Sequence, residues 1–181
     1  MSRWIVLFLV VYSLCGCAAG PQATSYNKGV AAYQQKNYVE ARGYWEQSIA
    51  EGQPPDALNN LGYLLFHGLG GAPEPERAVS LWKRGAVLGV SEAQWHLGAA
   101  YAKGQGTERN YAMAYAWFRC AITNAESGTG LSKSTEDEIA KGARKSLAIL
   151  LDKMTPQELE GGRQLASEYT EKYGRRGSSN P

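Results

Sequence analysis

The stretches Ala57-Leu-Asn-Asn-Leu-Gly62 and Ala93-Gln-Trp-His-Leu-Gly98 decide the fold of this chain, because they are two copies of one pattern. The copies are 36 residues apart (97 − 61 = 36), and the same offset relates seven pairs of residues without a gap. A fixed period of this length is typical of proteins built from stacked helical repeats. The seven pairs are Ala57/Ala93, Leu61/Leu97, Gly62/Gly98, Gly68/Gly104, Gly70/Gly106, Ala78/Ala114 and Trp82/Phe118.

A shorter copy precedes these two. Gly29 lies 12 residues before Ala41, whereas Gly62 lies 16 residues before Ala78, so the first copy lacks about four residues between its two helices. Its matching residues, in the same order, are Gly29, Ala32, Ala41, Trp45 and Gly52.

Local chemistry predicts two helices in each copy. Small residues at crossing points let two helices approach closely, and the aromatic residues fill the space between them. Each Gly-x-Gly supplies left-handed conformations that end a helix. Pro55 and Pro75 suit first helical turns, and Ser91 with Gln94 predicts a capping box.

These residues carry a family resemblance. The spacing of glycine, alanine and aromatic residues in 24–54 resembles a tetratricopeptide repeat, and 55–90 and 91–125 resemble the Sel-1-like repeat, a related unit with a longer turn. The resemblance implies an all-α fold, a short α/α solenoid of helix pairs.

The sequence changes character after Ala125. Residues 126–135 are rich in Gly, Ser and Thr and are predicted to be a linker, and 136–173 to be a pair of helices that caps the array. Thr155-Pro156-Gln157-Glu158 is a strong start for the last helix, which we expect to end near Lys172. Residues 174–181 are expected to form a flexible tail. The predicted apolar face of the first capping helix is Ile139, Ala143, Leu147, Ile149 or Leu150, and Met154.

The N-terminus reads as a targeting signal. Arg3 precedes an apolar run of about 11 residues, which would span roughly 16 Å as a helix, about half of a bilayer core. The following Leu14-Cys-Gly-Cys17 resembles a bacterial lipobox. This resemblance implies a signal peptide over 1–16, acylation of Cys17, a tether over 17–23 and, because Ala18 replaces Asp, sorting to the periplasmic face of a Gram-negative outer membrane. The alternative is an ordinary signal peptide cut near Ala19.

Composition and motifs exclude several functions. The net charge of +2 does not favour nucleic-acid binding. Neither His67 nor His96 has a second ligand at metal spacing, and Cys120 is expected to be a buried apolar residue. Gly68-Leu-Gly-Gly71 follows a predicted helix and lacks the Lys-Ser/Thr of a phosphate loop. We therefore expect no cofactor, no metal and no enzymatic activity.

Binding of a protein or peptide partner remains as the predicted function. In tetratricopeptide arrays the first helix of each pair lines a concave groove, and aromatic residues suit peptide recognition. The alternative for these residues is packing against adjacent repeats or the capping helices. Rival functions are binding of peptidoglycan or another glycan and, less favoured, hydrolysis of the cell wall. The predicted groove residues are Tyr26, Tyr33, Asn59, Tyr63, Phe66, His67, Glu92, Trp95 and Lys103.

Overall fold

A computed structural model of the chain describes residues 24–52, 54–128 and 131–174, so the predicted signal peptide, Cys17 and the last seven residues lie outside the described residues. Within these ranges every regular element is an α-helix, which confirms the all-α prediction. No helix in this part of the chain is both long and apolar enough to cross a membrane. The helices are α1 (Ser25–Gln34), α2 (Tyr38–Ala50), α3 (Asp56–His67), α4 (Pro75–Val87), α5 (Ser91–Lys103), α6 (Tyr111–Ser127), α7 (Lys133–Leu151) and α8 (Pro156–Tyr173).

The first six helices form three stacked pairs. Each second helix packs on its own partner and on the first helix of the next pair. Within each pair, the glycine of the first helix lies directly under an aromatic ring of the second, and a Cβ at that glycine would sit at an impossible distance from the ring. Such a Cβ would lie 2.4 Å from the Trp45 ring at Gly29, 2.6 Å from the Trp82 ring at Gly62 and 2.7 Å from the Phe118 ring at Gly98.

The Gly-x-Gly turns have two roles. Gly68 and Gly104 end α3 and α5 in the left-handed conformation, as predicted. The second glycine of each turn lies against the first residue of the preceding repeat's second helix. A Cβ at Gly70 would lie 2.5 Å from the carbonyl carbon of Tyr38, and a Cβ at Gly106 would lie 2.3 Å from the carbonyl oxygen of Pro75.

Arg42 fixes the turn between α3 and α4 from the neighbouring repeat. Its guanidinium donates hydrogen bonds to three backbone carbonyl oxygens, at 2.6 Å to Leu69, 3.2 Å to Leu64 and 3.2 Å to Ala72. It also forms a 3.4 Å ion pair with Glu74. The first two repeats are thus joined by polar contacts as well as by apolar packing.

The last two helices cap the array, as predicted. Both α7 and α8 pack on α6, and the ring of Trp117 in α6 lies 4.7 Å from Tyr169 and 5.6 Å from Tyr173 in α8. The predicted start of α8 at Thr155 is confirmed, and it forms a capping box. The Thr155 hydroxyl accepts from the Glu158 N–H, and the Glu158 carboxylate accepts from the Thr155 N–H.

The capping box predicted at the start of α5 is wrong. The N-cap is Val90 and makes no side-chain hydrogen bond. The Gln94 amide is instead buried among helices, donating to the Ala86 carbonyl oxygen at 2.9 Å and accepting from Asn124 at 2.9 Å. A side chain that joins α4, α5 and α6 cannot also reach back to its own helix terminus.

The boundaries around the first capping helix also differ from expectation. The preceding helix, α6, continues to Ser127, and α7 begins at Lys133 behind a Ser132 N-cap whose hydroxyl accepts from Thr135 N–H at 3.2 Å. Of the two alternatives for the apolar face, Leu150 is buried and Ile149 is 52% exposed.

Candidate binding groove

Five of the nine predicted groove residues line one open cavity of about 460 Å³ between α1 and α3. This volume lies within the usual range for ligand sites. We call it the α1–α3 cavity. Its described lining residues are Tyr26, Val30, Tyr33, Trp45, Asn59, Asn60, Tyr63 and Glu92.

Helical spacing places these side chains together. Tyr26, Val30 and Tyr33 stand at i, i+4 and i+7 and therefore share one face of α1. Asn59 and Tyr63 occupy the equivalent positions of α3, three residues before and one residue after the repeat glycine. The periodicity that builds the repeat thus also builds the cavity walls.

One carboxylate faces the aromatic walls. The Asn59 amide, in a residue only 3% exposed, donates to Glu92 Oε2 at 2.9 Å across the gap between α3 and α5. Burial raises the pKa of Glu92, the hydrogen bond from Asn59 opposes that shift, and the Asp56 carboxylate adds to it. The pKa of Tyr26 is also raised, by burial first and by Asp56 second. The cavity therefore has a negative local field.

Two buried polar atoms of residues that line the cavity have no hydrogen-bond partner among the described residues. They are Nε1 of Trp45, a residue 2% exposed, and Oδ1 of Asn59. Buried polar atoms are nearly always paired, so these two are exceptions, and neither is accessible from the cavity.

The other four predicted groove residues lie outside the cavity. Phe66 packs with its ring 5.1 Å from Trp82, and His67 is exposed at the end of α3, with its ring 4.4 Å from Tyr63. Lys103 borders a separate cleft of about 160 Å³ that α7 also lines.

The fourth, Trp95, lies against α7. Its indole N–H donates to Ser146 Oγ at 3.1 Å, and a Cβ at Gly142 would lie 2.5 Å from its ring. This contact corresponds to the alternative in which a groove residue packs against a capping helix.

Sequence reasoning missed three lining residues. Val30 stands one residue after Gly29, as Tyr63 does after Gly62, so the repeat register could have identified it. For Trp45 the repeat pattern predicts only the packing role above Gly29. Asn60 had no signal in the sequence that separates it from an exposed helical residue.

His96 lies beside the cavity, between two indole rings. Its ring is 5.0 Å from Trp82 and 5.6 Å from Trp95, stacked on both. Burial first, and the nearby His67 second, lower the pKa of His96 to about 4. The 3.9 Å contact between His96 Nε2 and Glu92 Oε1 is therefore not an ion pair at neutral pH.

The thiol of Cys120 is the buried apolar group that the sequence predicted. The side chain is fully buried, and burial raises the pKa of the thiol to about 12. A thiol with such a pKa is a poor nucleophile at neutral pH. Within the described ranges, no three His, Cys, Asp or Glu residues come together to hold a metal ion.

Comparison with known proteins gives one family match. The Sel1 repeat profile matches residues 23–53, 55–90 and 91–125, more than half of the chain. No curated protein matches.

Solved structures that share this fold include two bacterial proteins. One is a protective antigen of uropathogenic Escherichia coli with an SLR fold, 27% identical, with a TM-score of 0.71 over 83% of this chain and 30% of that chain. The other is a Sel1 repeat protein from Oxalobacter formigenes, 25% identical, with a TM-score of 0.58 over 81% of this chain and 55% of that chain. The present chain therefore spans about a third and about half of these neighbours.

Proposed function

Because this chain belongs to the Sel1 repeat family, whose repeats generally mediate contacts between proteins, we propose that it is an adaptor that binds a protein partner in the α1–α3 cavity. The observation that carries the proposal is the set of tyrosine side chains that line an open cavity instead of a closed core. Tyrosine combines a large apolar surface with a polar group and is enriched where proteins bind one another.

The proposal includes a location. Cys17 would be acylated and would hold the protein on the periplasmic face of the outer membrane, where the partner is also expected. The support is the lipobox resemblance of Leu14-Cys-Gly-Cys17. Two or three acyl chains anchor a protein firmly, whereas one is marginal. The adaptor would then support assembly of an envelope complex.

The anchor is tested by metabolic labelling. Cys17→Ser should abolish incorporation of labelled palmitate and release the protein from the membrane fraction. Labelling that persists in this variant would refute the acylation site.

The binding site is tested by capture from solubilised membranes. Tyr63→Ala should lose a specific partner that the wild-type protein retains. Leu88→Ala is the matched control, because Leu88 is 56% exposed at the end of α4 and does not line the cavity. Thermal unfolding of both variants checks that they are folded. A partner that is retained by Tyr63→Ala would contradict the site.

A glycan is the second candidate ligand, since tyrosine rings also stack on sugars and the amides of Asn59 and Asn60 border the same cavity. Sedimentation with purified sacculi separates the two possibilities. A glycan ligand would carry the wild-type protein into the pellet, and the Tyr63→Ala variant would stay in solution.

A catalytic role has less support. Sel1 repeat proteins are typically scaffolds without catalytic activity. Hydrolysis of a glycan usually requires two carboxyl groups that face one another. Among the described lining residues of the cavity, Glu92 supplies the only carboxyl group.

A further inference from the structure

The α1–α3 cavity combines aromatic walls with one carboxylate, and none of its described lining residues is a lysine or arginine. We propose that it receives an arginine side chain of the partner. This inference rests on the proposed function and names the chemistry of the group that is recognised.

The carboxylate is held in place for such a ligand. Glu92 Oε2 accepts the hydrogen bond from Asn59, while Oε1 lies 3.9 Å from Nε2 of the neutral His96. The Glu92 side chain is 41% exposed, so an incoming group can reach it. A guanidinium has five N–H donors in a rigid fork and can contact Glu92 Oε1 and further acceptors together.

The walls favour a planar cation. Tyr26, Tyr33 and Tyr63 line the cavity from two helices. The face of an aromatic ring attracts a cation, and a guanidinium also stacks flat on it. An apolar side chain could fill the same volume but would leave the carboxylate without a new partner.

The charged groups around the cavity also favour an arginine side chain. Asp56, in the first turn of α3, acts on both Tyr26 and Glu92, and raises the pKa of each. His96 is neutral at neutral pH, so it does not offset these carboxylates. A phosphate or carboxylate ligand would be repelled, and an arginine would be attracted.

Glu92 also has a structural role that must be separated from recognition. It lies in the first turn of α5, where a negative charge stabilises the helix. That role does not require the hydrogen bond from Asn59 in another repeat. A substitution of similar size and shape, Glu92→Gln, removes the charge and leaves the packing in place.

Peptide binding tests the inference. Fluorescein-labelled Ser-Ala-Arg-Ala-Ser is titrated with the full chain, purified in detergent, up to about 1 mM, and anisotropy is recorded. The comparison peptides replace Arg by citrulline, which has a similar shape without charge, or by Glu. The protein variants are Glu92→Gln and, as a charge-matched control, Glu168→Gln on the exposed surface of α8.

We expect the arginine peptide to bind, the citrulline peptide to bind about tenfold more weakly and the glutamate peptide to show no binding, since charged hydrogen bonds contribute more than neutral ones. Glu92→Gln should weaken binding of the arginine peptide about tenfold, and Glu168→Gln should leave the affinity for this peptide unchanged. Equal binding of the arginine and citrulline peptides, no binding of the arginine peptide, or equal losses in both variants would overturn the inference.

The two proposals can fail separately. If the partner captured from membranes is lost in Tyr63→Ala but retained in Glu92→Gln, the cavity binds a partner without an arginine anchor, and only the inference is overturned. If Tyr63→Ala retains the partner, the proposed function is also overturned.

Discussion

The second and third repeats each consist of a pair of helices, but the inner face of the second is open and that of the third is covered by α7. In the second repeat, Tyr63 follows the repeat glycine and faces an open cavity. In the third repeat the corresponding residue is Ala99, and α7 packs there. Phe66 likewise corresponds to Ala102. At these two positions the second repeat has large side chains and the third has alanine, which lets α7 lie close to the third repeat. At the position of Asn59 the third repeat instead has Trp95, which contacts α7 through Ser146.

This difference shows how one repeat unit can serve two purposes. The glycine and aromatic contact that joins the two helices of a pair is the same in both repeats, with Gly62 under Trp82 and Gly98 under Phe118. The inner-face positions are not needed for that contact. They are therefore available for binding at one end of the array and for capping at the other.

The largest expected effect comes from disrupting the contact between the repeat glycine and the aromatic ring in the second repeat. Gly62→Val places a Cβ 2.6 Å from Nε1 of the buried Trp82 and should lower the free energy of unfolding by about 3 kcal/mol. Urea denaturation measures it. Gly43→Val is the control, since a Cβ at Gly43 meets nothing within 4 Å. Equal stability of the two variants would contradict the close contact between Gly62 and Trp82.

A second test concerns His96, which lies between the two repeats. Its pKa of about 4 in the folded protein is below the ordinary value of 6.5, so the unfolded chain binds the proton first as pH falls. Stability should therefore decrease from about pH 6.5 down to pH 4, by about 2 kcal/mol between pH 7.5 and pH 5. Comparison of urea midpoints for wild type and His96→Phe isolates this contribution, and the same pH dependence in both proteins would refute it.

Opening the covered repeat should have a smaller effect. Gly142→Val directs a Cβ into the ring of Trp95, 2.5 Å away, and should reduce stability by about 1–2 kcal/mol. Hydrogen exchange should show faster opening of α7 than in the wild-type protein. The control Gly161→Val lies on α8, with open space around its Cβ. Unchanged exchange in α7 would show that Trp95 does not hold this helix.

The smallest expected change is a gain. Gly43→Ala should raise the free energy of unfolding by about 0.5–1 kcal/mol, because alanine favours a helix interior and the added methyl meets no atom. Thermal unfolding measures it. A loss of stability would show that α2 is more closely packed at this position than the structure indicates.

The sequence predicted the helix pairs because the glycine and aromatic residues that hold the two helices of a pair together recur in every copy of the repeat. It also predicted five cavity residues, since Tyr26, Tyr33, Asn59, Tyr63 and Glu92 follow the same register. It did not predict which repeat would stay open, because that depends on where α7 packs, and α7 lies outside the repeat pattern. The error at Ser91 has a similar cause, since the bonds of Gln94 run to other helices.

Site-specific photocrosslinking tests the central claim, that the open repeat is the one that binds. Benzoylphenylalanine is introduced at Tyr63, in the α1–α3 cavity, or at Ile149, which is 52% exposed on α7 over the third repeat. We predict a crosslinked partner in cells with the probe at 63 and none with the probe at 149. A partner crosslinked at 149 and absent at 63 would contradict the account.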